Sequence, residues 1–117
     1  MIFRKKTVEF PAWNYSVIVV VTSDINTAAK KLQLIAVDEP PPADKSTGGL
    51  SRHGCDCGES YLFVKPGSSV NVVAHESWHC VRRMLLYAGA DLDSETVAYH
   101  LGYLAQKVHT FIHQRRK

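Results

Sequence analysis

The sequence predicts an α+β domain built around a small sheet, and three observations carry that expectation. Residues 16–22 read "SVIVVVT", a β-branched run too short to span a membrane and shaped for a buried strand. Two later stretches, about 69–88 and 94–114, carry apolar residues at helical spacing with capping residues before them. The elements come in the order strand, strand, helix, long loop, strand, helix, helix, which fits neither an all-helical bundle nor an alternating βαβ chain. The 117 residues fit one domain, 1–117. With 45% hydrophobic and 21% charged residues, the composition is that of an ordinary globular protein.

In chain order, residues 7–22 give a short edge strand, a break at Pro11 and Asn14, then a core strand over 16–22. Ser23 or Asp24 can cap a helix whose stripe is Ile25, Ala28, Ala29, Leu32 and Ile35, with Lys30 and Lys31 off it. Residues 38–58 have no periodicity. Three consecutive prolines exclude helix and glycines punctuate the rest, so a long loop is expected, of the kind that covers a cleft. "ESYLFVKPG" reads as a strand ended by Pro66-Gly67, with Tyr61 and Phe63 on one face and Leu62 and Val64 on the other. Ser68 or Ser69 can start the next helix and Gly89 stop it. Asp91, Asp93 or Ser94 can start the last, with Leu101, Leu104, Ala105, Val108 and Ile112 on its buried side.

The net charge of +3 is mild and gives no reason to expect nucleic acid. Arg115, Arg116 and Lys117, with Lys107, read as a solvated helix end where cations suit the dipole. The N-terminus lacks the apolar core of a signal peptide, and three cysteines, an odd count, suit a reducing compartment. A cytoplasmic protein is therefore expected.

Chemistry is concentrated in His75-Glu76-Ser77-Trp78-His79, the pattern HExxH. Residues four apart on a helix stand one above the other, so both imidazoles can reach a single zinc ion. Glu76 lies about 100° further round and can lean over the metal's open side, where a carboxylate accepts a proton from bound water. Val72, Val73, Trp78, Val81, Met84 and Leu85 should partly bury the site. A catalytic zinc usually has three protein ligands. Asp91, Asp93, Glu95 and His100 all lie downstream, on or before a helix expected to run back antiparallel; Glu95 and His100 are about 140° apart and cannot both face the metal.

HExxH followed by Glu95-Thr96-Val97-Ala98-Tyr99 resembles the minimal gluzincins, small zinc metallopeptidase-like domains often carried by phages and prophages. The likeness is tight over 75–79 and 95–99 and loose over most of the rest. It implies a zincin-like domain with a short mixed sheet, an opening helix, the HExxH active-site helix and a C-terminal helix. It implies Glu95 as third zinc ligand and the bacterial host cytoplasm as the setting. Tyr99 or Tyr61 is then a candidate for stabilising the transition state.

The remaining histidines and cysteines are read conservatively. His53, Cys55 and Cys57 in "RHGCDCG" could hold a second zinc with a fourth ligand such as Cys80 or His100, or Cys55 and Cys57 could act as a cysteine switch; the plainer expectation is a glycine-rich loop with incidental thiols. Cys80 should be a small core residue. His109 and His113, four apart, have no acid after them and read as solvated. The function expected is a zinc-dependent metallopeptidase acting on a protein or peptide, with strand 59–65 pairing an extended substrate. The alternatives are a zinc-stapled, non-catalytic protein-binding module, or a protease that acts on DNA-bound proteins, for which the basic tail is the only support.

Overall fold

The structure, a computed structural model, describes residues 3–32, 49–53 and 58–114. It is α+β: strands β1 (Phe3–Phe10), β2 (Tyr15–Thr22), β3 (Gly49–His53) and β4 (Glu59–Val64), and helices α1 (Ile25–Lys31), α2 (Val70–Tyr87) and α3 (Ser94–His113). The strands form one mixed sheet in the order β1-β2-β4-β3. β1 pairs antiparallel with β2, β2 parallel with β4, and β3 antiparallel with β4.

Local chemistry explains most boundaries. Pro11 opens a short 3-10 turn, Pro11–Trp13, and Asn14 closes it at φ 51, a left-handed conformation that Asn tolerates. β2 is apolar nearly throughout because both of its faces are covered. The Asp24 carboxylate caps α1, accepting from the Thr27 backbone N–H at 3.1 Å and the Thr27 hydroxyl at 2.7 Å. Ser69 caps α2 through the Val72 N–H, and Asp93 caps α3 through the Thr96 N–H at 2.9 Å. α2 ends as a glycine at C′ dictates: Gly89 has φ +72, its N–H reaches the Leu86 carbonyl, and the Ala90 N–H reaches that of Leu85.

The sheet separates two cores. On one face Val17, Val19, Leu62 and Val64 pack with Val73, Cys80, Met84 and Leu85 of α2 and Leu104 and Val108 of α3. On the other, Ile18, Val20 and Phe63 pack with Ile25, Ala28 and Ala29 of α1. Tyr61 and Phe63 thus share one face and Leu62 and Val64 the other, as the alternation predicts. α2 and α3 run antiparallel, with Val70 and Val73 beside Ala105 and His109 and with Trp78 and Arg82 beside Val97 and Leu101. No helix among the described residues is long and apolar enough to cross a membrane.

Two expectations need correction. The stretch read as a continuous loop over 38–58 contains β3; only Leu50 gives "GLSRH" any apolar character, so the alternation that signals a strand is missing, and pairing with β4 makes it one. Strand 59–65 cannot offer an edge to a substrate, because β2 and β3 occupy both sides of β4. Trp78 borders the site as expected, its ring 5.2 Å from that of His79, but at 41% exposed it shelters the site less than a buried residue would. Ile35, Cys55, Cys57 and the basic tail 115–117 lie outside the described residues.

Candidate metal centre

α2 carries the HExxH residues on the flank that faces β3 and solvent. The Nε2 atoms of His75 and His79 lie 3.3 Å apart, with ring centroids at 4.8 Å. Two nitrogens bound tetrahedrally to zinc at about 2.0–2.1 Å are separated by about 3.3–3.4 Å, so the pair already stands at the spacing of two zinc ligands. The His75 side chain is 68% exposed and that of Glu76 only 11%, so an ion can arrive from solvent while the acid stays sheltered.

Glu76 lies against the pair, its Oε2 4.0 Å from His75 Nε2. Burial pushes its carboxyl above the ordinary range, while His75, His79, Arg83 and a hydrogen bond from Ser51 pull the other way. Its shelter comes from β3. A Cβ at Gly49 would stand 2.8 Å from Glu76 Cγ and 3.1 Å from the Phe63 carbonyl oxygen, so only glycine lets the strand come this close. One guanidinium nitrogen of Arg83 donates to the Ser51 carbonyl at 3.3 Å and ties the two elements. Gly49, Asn71, Val72, His75 and Glu76 line an open cavity of about 410 Å³.

Gly49, Ser51 and Arg83 were missed in the sequence. The one available signal was Arg83, seven residues after Glu76 and so on the same helix face.

The other expected site residues are placed elsewhere. Glu95 is exposed in the first turn of α3, and α3 packs along the flank of α2 that carries Val73, Trp78 and Arg82, not the flank that meets β3. Among the described residues, no three His, Cys, Asp or Glu side chains converge to hold a metal. His100 uses both ring nitrogens: Nδ1 donates to the Thr96 carbonyl at 2.7 Å and Nε2 accepts from Trp13 Nε1 at 2.8 Å, which fixes its tautomer. Asp93 is occupied as a cap, and the Thr96 backbone N–H and hydroxyl hold its carboxyl below the usual range. Asp91 is exposed. Tyr99 is 77% exposed beside His100, and Tyr61 stacks on Phe63 across the sheet from α2. Neither reaches the pair. Cys80 is wholly buried and its thiol is pushed up to about 12 by desolvation, as expected of a core residue. His109 and His113 face each other on α3 at 4.4 Å.

No protein-family model, curated protein or solved structure matches the chain.

Proposed function

We propose that the chain is a zinc-dependent metallopeptidase in which His75 and His79 hold the metal and Glu76 is the general base. One observation carries this reading: two imidazole nitrogens 3.3 Å apart with a sheltered carboxylate directly beside them. A bound zinc ion supplies a Lewis acid and a water acidic enough to lose its proton near neutral pH. Glu76 accepts that proton and passes it to the leaving amine. β3, not β4, is the sheet edge beside the site among the described residues, and the side it does not turn to β4 can pair with an extended peptide. The gluzincin likeness makes Glu95 the candidate third ligand and Tyr99 the candidate stabiliser, and each requires α3 to approach the pair more closely than it does here. That likeness also supports a phage origin and a bacterial host cytoplasm.

The second reading is a zinc-stabilised module that binds a protein without cleaving it; structural zinc is four-coordinate, so this reading needs two further ligands beside His75 and His79, and no third converges among the described residues. Metal content by plasma mass spectrometry tests both. One zinc per chain, lost in His75→Ala and His79→Ala, is the expected result, and wild type that takes up no zinc defeats both readings. Loss in Glu95→Ala but not in Asp93→Ala or His100→Ala makes Glu95 the third ligand. Glu76→Gln separates the two functions: it keeps the zinc, and under the peptidase reading it lowers hydrolysis of unfolded protein substrates by about 10²–10⁴.

A further inference from the structure

The fold sorts charges that the sequence scatters. Register places the start of β1, the end of β2 and the end of β4 at one end of the sheet, through the pairs Phe3 with Thr22 and Val21 with Val64. α3 finishes at that end too: the Arg4 guanidinium lies 4.7 Å over the Phe111 ring and donates to the Phe111 and Ile112 carbonyls. Arg4, Lys5 and Lys65 therefore lie at that end, with Lys6 next along β1 opposite Val19 and Lys107 in the second half of α3. The opposite end holds Glu9, Glu59, Asp91, Asp93 and Glu95, at the end of β1, the start of β4 and the start of α3. Among the described carboxylates, two stand nearest the cationic end: Asp24, committed to capping α1, and Glu76, sheltered against Gly49 in the row of Val64. Lys5, Lys6 and Lys107 are exposed, and none has an ion-pair partner among the described residues.

From this polarity we infer that the cationic end binds the phosphate backbone of a nucleic acid. A modest net charge does not exclude such a surface, because the local field, not the sum, attracts a polyanion. Lysines without carboxylate partners exchange solution counter-ions for phosphates, and releasing those ions drives binding. A membrane surface fits less well. Its anionic headgroups suit the lysines, but docking also needs apolar side chains to insert. Of the large exposed apolar residues, Val70 stands at this end and Tyr103 lies under the Lys107 ammonium; Trp78, Leu86, Tyr87, Leu92 and Tyr99 lie elsewhere along the helices.

The test is fluorescence anisotropy of a labelled oligothymidylate with the full chain in chelator, so that the outcome does not depend on the metal site. Lys6→Ala with Lys107→Ala should weaken binding about tenfold or more at about 50 mM salt and flatten the salt slope by about 1.4, two single-strand contacts' worth. Ala12→Glu with Ala98→Glu alters net charge equally, away from the cationic end, and should weaken binding less than about threefold. The inference is overturned by no binding at that salt, by equal losses in the two double variants, or by tighter binding to anionic phosphatidylserine vesicles than to the oligonucleotide. It is also overturned if neutralising Arg115, Arg116 and Lys117 abolishes binding while the lysine pair has no effect.

Discussion

At the residue scale, the helix face of α2 separates reactive groups from inert ones that are neighbours in sequence. His79 is solvent-accessible and Cys80, one position on, is fully buried. Cys80 should therefore resist maleimide in the folded protein and react only on unfolding; peptide mapping with and without denaturant checks this, and labelling of the native chain at Cys80 would contradict the packing. Asp24 gives a pH dependence of known sign. The Thr27 hydroxyl and N–H hold its carboxyl below the usual range in the folded state. Such a group contributes stability above its unfolded pKa and loses that contribution as pH falls through the folded value. Asp24→Ala should thus lower the melting temperature near neutrality, and the gap from wild type should close in strong acid. A gap that stays constant with pH would mean that the charged cap is not what Asp24 contributes.

At the element scale, the contact between β3 and α2 shapes the candidate site. Gly49 admits the strand, and Arg83 fastens it through the Ser51 carbonyl. Gly49→Ala would press on the Glu76 side chain, which can move, and on the Phe63 carbonyl, which is fixed in the sheet. Overpacking of this kind costs about 1–3 kcal/mol. The variant should unfold at lower denaturant while keeping the zinc uptake of the His75–His79 pair, since the atoms nearest the added methyl belong to Glu76, Val72 and Phe63. Unchanged stability would show that β3 sits further from α2. The expectation that strand 59–65 receives a substrate failed at this scale: a strand's own residues cannot say which neighbours flank it.

At the scale of the whole molecule, gathering like charges carries a cost in folding. Arg4, Lys5, Lys6, Lys65 and Lys107 repel one another across distances that salt screens, with a Debye length of about 8 Å at physiological ionic strength. Added sodium chloride should raise the melting temperature at low ionic strength. Lys6→Glu should raise it most at the lowest salt and lose its advantage as salt increases. A melting temperature that does not respond to salt would mean the cations are too dispersed to feel one another.

Sequence alone determined what depends on short-range geometry. Four-residue spacing fixed the facing of His75 and His79, because a helix repeats every 3.6 residues wherever it sits. Gly89 and the capping candidates Ser23 or Asp24, Ser68 or Ser69, and Asp91, Asp93 or Ser94 announced helix ends because capping involves only residues three or four apart; the structure chose Asp24, Ser69 and Asp93. The unbroken apolar run of β2 marked a core strand, and the structure showed that both of its faces are covered. Tertiary structure alone decided what depends on distant partners. β3 exists because β4 pairs with it, and Glu76 is sheltered because Gly49 lies over it. His100 is occupied because Trp13, 87 residues earlier, donates to it. The segregation of charge follows from the directions in which strands and helices run, which places Arg4 against Phe111 and parts Lys6 from Glu9 along one strand. Local rules set each residue's face; only the pairing of elements sets which faces meet.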